Sequence, residues 1–480
     1  MEQQTSTETR IARRTPGAAD RWNVLYYKLI NLGIISKMVL KRGPIGIFRE
    51  LRHYPWIWDL LKVNTLIDKM TVGRTGLYSE AVAYTISHIA AEIVAMLETI
   101  FYEGDRMVLN EDLVPPEILR AMGLKPWLPE GMGIVIPLIV PDGMETYIDA
   151  AENEGVPADI CSLPKATMGM ALKGCQPPAG AIVTSNLPCD GGMTSYNIIA
   201  RQLGAPMFSL DAPFNFKDGR ALDYFSGQLR EMISWLEEKT PGRMDWDRLR
   251  EICETRNRLV ELELELWDMV RKRPAPMAAE VVYLSHLWAF NVYPGMPSSV
   301  RLFEKLTAMC RANLEAGVSA VPNERFRAIL WNPPTLHASD LFVWAEKAYG
   351  VSLIMDSMTF NRQPFIDTTS QESMLKGLSL NIMDGPMVRH TRGPAENFFN
   401  DIFHIVKAFD IDMLWVAGHI GCKNTQALNG MLREMCRERK IPLLVIDYDL
   451  MDPRIETRDG IIRQVDHFME NIMKVRRLDA

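Results

Sequence analysis

The sequence lacks the signatures of the commonest nucleotide, hydrolase and zinc sites. There is no Gly-x4-Gly-Lys-Ser/Thr loop to cradle phosphates, so ATP hydrolysis is not expected of this chain. No Gly-x-Gly-x-x-Gly follows a strand-like run, which weakens a nicotinamide or flavin reading. Gly-x-Ser-x-Gly and His-Glu-x-x-His are missing too. The seven cysteines include no Cys-x-x-Cys and no ferredoxin-like spacing. Their odd number, in a chain without an export signal, argues against a disulfide framework and leaves reduced thiols or metal ligands. Basic residues are not in excess: the net charge is −7, so nucleic acid is not expected as the main partner. Small anions can still bind at helix ends. Residues 1–14 are polar and have no apolar stretch of the secretory kind, so a cytoplasmic location is expected. The greasiest segment, residues 81–101, is interrupted by His88, Glu92 and Glu98. These are costly in hydrocarbon, so an amphipathic helix is expected there and no membrane span.

What is present fits a large folded chain. Its 480 residues exceed one ordinary core and suggest two or three domains. Hydrophobic residues at 47% and charged residues at 24% exclude a disordered chain or a coiled coil. The 29 methionines read as adaptable core filling.

Residues 22–103 have a helical pattern, broken near 41–46 and again near 72–76. The rhythm then changes. Short apolar runs at 133–140, 181–184, 207–210, 328–331, 352–355, 413–417 and 443–446 alternate with helix-period segments, which predicts parallel α/β layers. Residues 218–273 read as two long helices split at Thr240, Pro241 and Gly242, and 276–315 as a further helical stretch.

Two units inside the chain are alike. One runs AIVTSNLPCDGG, a helix, then APMFSLDAP; the other runs DMLWVAGHIGCKN, a helix, then IPLLVIDYD. Each sets a cysteine, Cys189 or Cys422, just past a buried strand, and each following strand leads to an aspartate, Asp211 or Asp447. In parallel sheets, ligands bind beyond the carboxyl ends of the strands. A thiol at a helix N-terminus has its thiolate favoured by the local dipole, and the thiolate is the metal-ligating form. Cys161, in GVPADICSLPKATMG, also precedes an apolar-periodic helix. Against this, a lone cysteine in apolar surroundings is commonly an inert small hydrophobe. Cys253, Cys310 and Cys436 fall inside helical patterns and read that way, while Cys175 in KGCQPP reads as a turn residue. His419, three residues before Cys422, suits acid–base work and equally a structural imidazole bonded to backbone.

At the level of whole motifs the sequence resembles the family of 2-hydroxyacyl-CoA dehydratases and benzoyl-CoA reductases, and within it the larger, alpha-type subunit of a dehydratase component. The matching pieces are ILRAMGLKPWLPE, GVPADICSLPKATMG, SNLPCDGG with LDAPFN, KRPAPM, ILWNPP, and HIGCKN with IPLLVIDYDLMDPR, spread over residues 108–473. The resemblance implies a 4Fe-4S cluster between two Rossmann-like domains, held by Cys161, Cys189 and Cys422. Some members carry a further cysteine just before the ILRAMG-like segment; this chain has Val114, Pro115 and Pro116 there. The implied layout is an N-terminal helical extension at 1–107, a first Rossmann-like domain at 108–275, a helical connector at 276–325 and a second Rossmann-like domain at 326–480.

Four irons and three thiolates leave one iron open to substrate or water, as a catalytic zinc keeps an open position. The resemblance therefore implies a radical mechanism. An electron of very low potential enters the thioester carbonyl of an (R)-2-hydroxyacyl-CoA, the resulting ketyl expels the adjacent hydroxyl, a β-proton leaves, and the electron is returned. It also implies a related, smaller iron–sulfur partner subunit and a separate ATPase activator, which agrees with the missing phosphate loop. Ser185, Asp190 and His419 are the candidates for hydrogen bonding or proton transfer near the cluster, and each could instead cap a helix or close a loop. The motifs do not separate a dehydratase from an aryl-CoA reductase, and a non-catalytic electron-transfer or scaffold subunit stands as the reading of another class.

Overall fold

Among the described residues, eight short strands form two parallel sheets with the same winding. The first holds β1 (Met107–Asn110), β2 (Lys125–Trp127), β3 (Ala181–Ser185) and β4 (Met207–Leu210) in the order β2-β1-β3-β4. The second holds β5 (Phe326–Trp331), β6 (Val351–Asp356), β7 (Met413–His419) and β8 (Leu443–Tyr448) in the order β6-β5-β7-β8. Every pairing is parallel. The two units that look alike in sequence thus occupy equivalent places, β3 to β4 and β7 to β8. Asp211 follows β4 directly, whereas β8 runs through Asp447 to Tyr448. In both sheets the order reverses between the first and third strands, which opens a crevice beyond their carboxyl ends.

The computed structural model describes residues 18–74, 76–214, 219–319, 321, 324–331, 335–356, 358–360 and 364–478. The first 17 residues of the N-terminal extension, Asn215 of LDAPFN and Asn332 to Pro334 of ILWNPP lie outside the described residues.

The helical extension breaks where the sequence says it should. Helix Ala18–His53 is interrupted at Gly43, whose φ of 68° suits a residue without a side chain, with Pro44 removing an amide donor just after. Helix Leu77–Tyr102 starts after Gly76, at φ 64°. By length and composition its segment Leu77–Ile100 is long and apolar enough to cross a membrane. It packs instead against helix Ala18–His53 and helices Ala279–His286 and Pro297–Glu315, and His88 Nε2 lies 3.4 Å from Glu92 within it.

One predicted strand is a helix. Residues 133–140 fall largely within helix Pro129–Ile139, which opens on Pro129 and is buried on nearly every side. A short run that is apolar all round has no period to distinguish strand from helix, and a proline at the first helical position favours the helix. Two strands, β1 and β2, go beyond the runs that the sequence pattern marks. They are four and three residues long, and β2 carries Pro126, tolerated because β2 is an edge strand.

The two long helices are Gly219–Lys239 and Trp246–Val270, the second capped by Asp245, which accepts the N–H groups of Asp247 and Arg248. Helix Gln371–Met383, from the second half of the chain, packs on helix Gly219–Lys239, so Met374, Leu375 and Leu378 complete the core beside the first sheet. That cross-packing ties the second half of the chain to the first.

Candidate functional site

Three helices begin on a cysteine. Cys161 is the N-cap of helix Ser162–Leu172, Cys189 of helix Asp190–Leu203 and Cys422 of helix Lys423–Arg439, and none makes a side-chain capping bond. Their first amide N–H groups are therefore available to an anionic group at the sulfurs. The fold brings the three together. Gly421 approaches so closely that a Cβ there would lie 2.5 Å from the Cα of Cys161, and His419 Nε2 sits 3.1 Å from the Cys161 sulfur. Lys423 Nζ reaches Asp159 at 2.9 Å, a second tie between the two segments.

The thiols also sense one another electrostatically. Burial pushes the Cys161 thiol well up, the Leu163 N–H pulls it back, and Cys189 and Cys422 raise it further. Cys189 is exposed by surface area yet crowded by surrounding atoms, so desolvation raises it, opposed by the N–H groups of Gly192 and Gly191. Cys422 lies 3.0 Å from the Thr425 hydroxyl. Among the described residues no group of three His, Cys, Asp or Glu side chains stands at the spacing a single metal ion needs. A mononuclear ion draws its sulfurs to about 2.3 Å of one point, whereas a four-iron cube spreads its ligands wider. The three cysteines at three helix N-termini are the thiols that could hold an anionic metal group.

The remaining predicted residues fall around this group. His419 closes β7; its Nδ1 accepts the Leu450 N–H at 3.1 Å, so the Nε2 that faces Cys161 carries the hydrogen of the neutral ring. Burial lowers the imidazole's proton affinity and Asp449, 3.5 Å away, opposes this. Ser185, fully buried at the end of β3, donates to Glu111 at 2.7 Å and accepts the Leu187 N–H at 3.1 Å, which braces the loop leading to Cys189. Asp190 is exposed at the first position of its helix, where the dipole favours a carboxylate. Cys175 is buried with its sulfur 3.5 Å from the Lys173 carbonyl, and Cys253, Cys310 and Cys436 are buried within helices.

Sequence reasoning missed a set of buried acids beside the cysteines. Glu111 follows β1, and its carboxyl is held far above the usual range, first by burial and then by Glu130. Glu130 is pushed up to about 8 by burial, against the pull of Tyr196. The Tyr196 hydroxyl touches both Glu130 and, at 3.1 Å, the Asn110 carbonyl. The phenol has one hydrogen to share between these two acceptors, the Glu130 carboxyl and the Asn110 carbonyl. Glu130 is the last residue of the motif ILRAMGLKPWLPE, a signal that could have found it; Glu111 could be found only by recognising β1.

Comparisons with known proteins show the chain's family. Residues 113–472 match the family described as 2-hydroxyglutaryl-CoA dehydratase, D-component, and the chain belongs to that family. It is similar to the lactoyl-CoA dehydratase subunit alpha of Anaerotignum propionicum, 21% identical over 73% of this chain and 87% of the relative. It is also similar to a benzoyl-CoA reductase subunit of Thauera aromatica, 20% identical over 68% of this chain and 79% of the relative. The (R)-2-hydroxyisocaproyl-CoA dehydratase alpha subunit of Clostridioides difficile is 22% identical over 48% of this chain and 59% of its own length.

Proposed function

We propose that this chain is the alpha-type, iron–sulfur subunit of an (R)-2-hydroxyacyl-CoA dehydratase, with Cys161, Cys189 and Cys422 as the ligands of a 4Fe-4S cluster. The observation that carries this reading is the close approach of Gly421 and His419 to Cys161, which joins the second sheet's cysteine loop to the first. When bound, the cluster supplies a low-potential electron and an iron able to polarise an acyl-CoA oxygen. The chain's own residues do the rest. The three helix N-termini offset the charge of the thiolates, and the neutral His419 donates Nε2–H toward Cys161. The Ser185 bridge between Glu111 and Leu187 fixes the Cys189 loop. Glu130, whose carboxyl burial pushes up to about 8, is a buried acid beside Glu111 that can give and take back a proton.

A smaller related subunit and a separate ATPase that injects the electron belong to the same proposal, supported by family membership and by the absence of a phosphate loop. An aryl-CoA reductase subunit is the second reading, favoured by the similarity to the Thauera aromatica protein. The deciding experiment is anaerobic purification followed by iron and acid-labile sulfide analysis, then turnover of 2-hydroxyacyl-CoA against benzoyl-CoA by the activated complex. We expect about four irons per chain, lost in Cys161→Ala, Cys189→Ala and Cys422→Ala and kept in Cys253→Ala. Protein free of iron under these conditions would overturn the reading, and turnover of benzoyl-CoA alone would replace it with the reductase.

A further inference from the structure

A cavity of about 600 Å³ lies at the amino end of β1 and along the edge strand β2. Arg106 and Met107 line it where β1 begins and Lys125 where β2 begins, and none of Cys161, Cys189, Cys422 and His419 does. Because β1 and β3 run parallel, Cys189, beyond the carboxyl end of β3, stands at the opposite end of the sheet. The five residues of β3 span roughly 17 Å. The N-terminal extension supplies one wall through Met96, Glu98 and Thr99 of helix Leu77–Tyr102. Helix Trp246–Val270 and the segment 293–297 supply others.

Charge in the lining is uneven. Of its acids, Glu98 is taken by Lys37 at 2.7 Å and Glu103 by Lys125 at 3.7 Å, which leaves Glu251. Against it stand the guanidiniums of Arg106, Arg120 and Arg248, and among the described residues none of the three has a carboxylate partner. Arginines elsewhere, such as Arg74, Arg256 and Arg454, do pair with acids. Arg106 and Arg248 are exposed to the cavity's solvent, and Arg106 touches only the Gly123 carbonyl, at 3.5 Å. Arg120 is half-buried by surface area but crowded by surrounding atoms. It donates to the Val292 carbonyl at 3.1 Å and lies 4.2 Å from the Tyr293 ring centre, which fixes the plane of its fork. The acids in its field are engaged elsewhere, Glu117 with Arg256 and Glu92 with Trp288. A crowded cation without a carboxylate is costly to keep, so an oxyanion is the complement the site lacks. Arginine's planar fork takes phosphate or carboxylate oxygens in pairs. The lining also includes the buried, apolar Leu124, Trp127 and Ile252, and a cavity of this size suits a whole small molecule.

We infer that this cavity binds a small organic polyanion, a phosphate ester or a polycarboxylate, with its oxyanions on Arg106, Arg120 and Arg248 and its body against the apolar lining. The inference is independent of the dehydratase reading, since it uses none of the cysteines. The test is isothermal titration of the anaerobically purified protein at low salt with ADP, pyrophosphate, citrate and uncharged adenosine. We expect saturable binding of ADP and pyrophosphate, or of citrate, below about 1 mM, weakened by added salt and not matched by adenosine. Binding of ADP and pyrophosphate identifies a phosphate ester as the ligand, and binding of citrate alone a polycarboxylate. Arg106→Ala and Arg248→Ala, both at exposed side chains, should each weaken that binding roughly tenfold while leaving the circular dichroism spectrum unchanged. Failure of all three anions to bind, adenosine binding as tightly as ADP, or anion binding that both variants leave intact overturns the inference, whatever the iron analysis shows.

Discussion

His419 Nε2 and the Cys161 sulfur lie 3.1 Å apart although 258 positions separate them in the chain. The Leu450 N–H occupies the other ring nitrogen, so the imidazole presents a hydrogen to the sulfur. Hydrogen bonds to cluster sulfurs raise a cluster's reduction potential. We therefore expect His419→Ala to keep iron but show a more negative midpoint in an anaerobic redox titration, and His419→Gln, which retains an N–H, to fall between. An unchanged midpoint in His419→Ala would show that this contact only packs the loop.

Gly421 gives a test that removes no ligand. An alanine there puts its Cβ 2.5 Å from the Cys161 Cα and 2.9 Å from its N, both backbone atoms that cannot swing aside. Gly421→Ala should cost about 1–3 kcal/mol from overpacking and should lower the iron and sulfide content of anaerobically purified protein. Full iron content in that variant would mean that the two cysteine loops do not need this approach.

Ser185 is a brace by its contacts. Ser185→Ala leaves the buried Glu111 carboxyl and the Leu187 N–H without their shared partner, at a cost of about 1–3 kcal/mol. Denaturant unfolding should register that loss, and Ser185→Thr should recover part of it.

Glu130 sets a pH dependence of definite sign. Its carboxyl rises from 4.5 to about 8 on folding, driven by burial, with Tyr196 lowering it and Asp112 raising it; Glu111 also lies in its field. A group with a raised folded pKa gives its full stabilisation below the unfolded value and loses it as pH climbs through the folded one. Stability should fall between about pH 4.5 and 8, and Glu130→Gln, which stays neutral and can still pair with Tyr196, should flatten that fall by roughly a few kcal/mol. Asp356, pushed up to about 7 by burial, adds a slope of the same sign. Chemical denaturation at a series of pH values would measure both.

Much of this is legible from residue order alone. The hydrophobic runs of β3 to β8, the glycine and proline breaks in the extension and the cysteines set before helices are local signals, written within a dozen residues of where they act. The two repeated units announce two sheets of one winding. Residues 133–140 read as a strand and fold as a helix because an apolar run buried on every side has no periodicity to read. The pattern passes over β1 and β2 because three or four residues make less than one informative repeat.

The sequence by itself determined the α/β class, the N-terminal helices and the position of Cys161, Cys189 and Cys422 at helix starts, since those follow from propensity and pattern over short spans. Only the tertiary structure decided that Gly421 abuts Cys161, that Ser185 braces Glu111 and that Tyr196 meets Glu130. Those contacts join segments tens to hundreds of residues apart, and their energies come from desolvation and close approach, which exist only once the two sheets have packed.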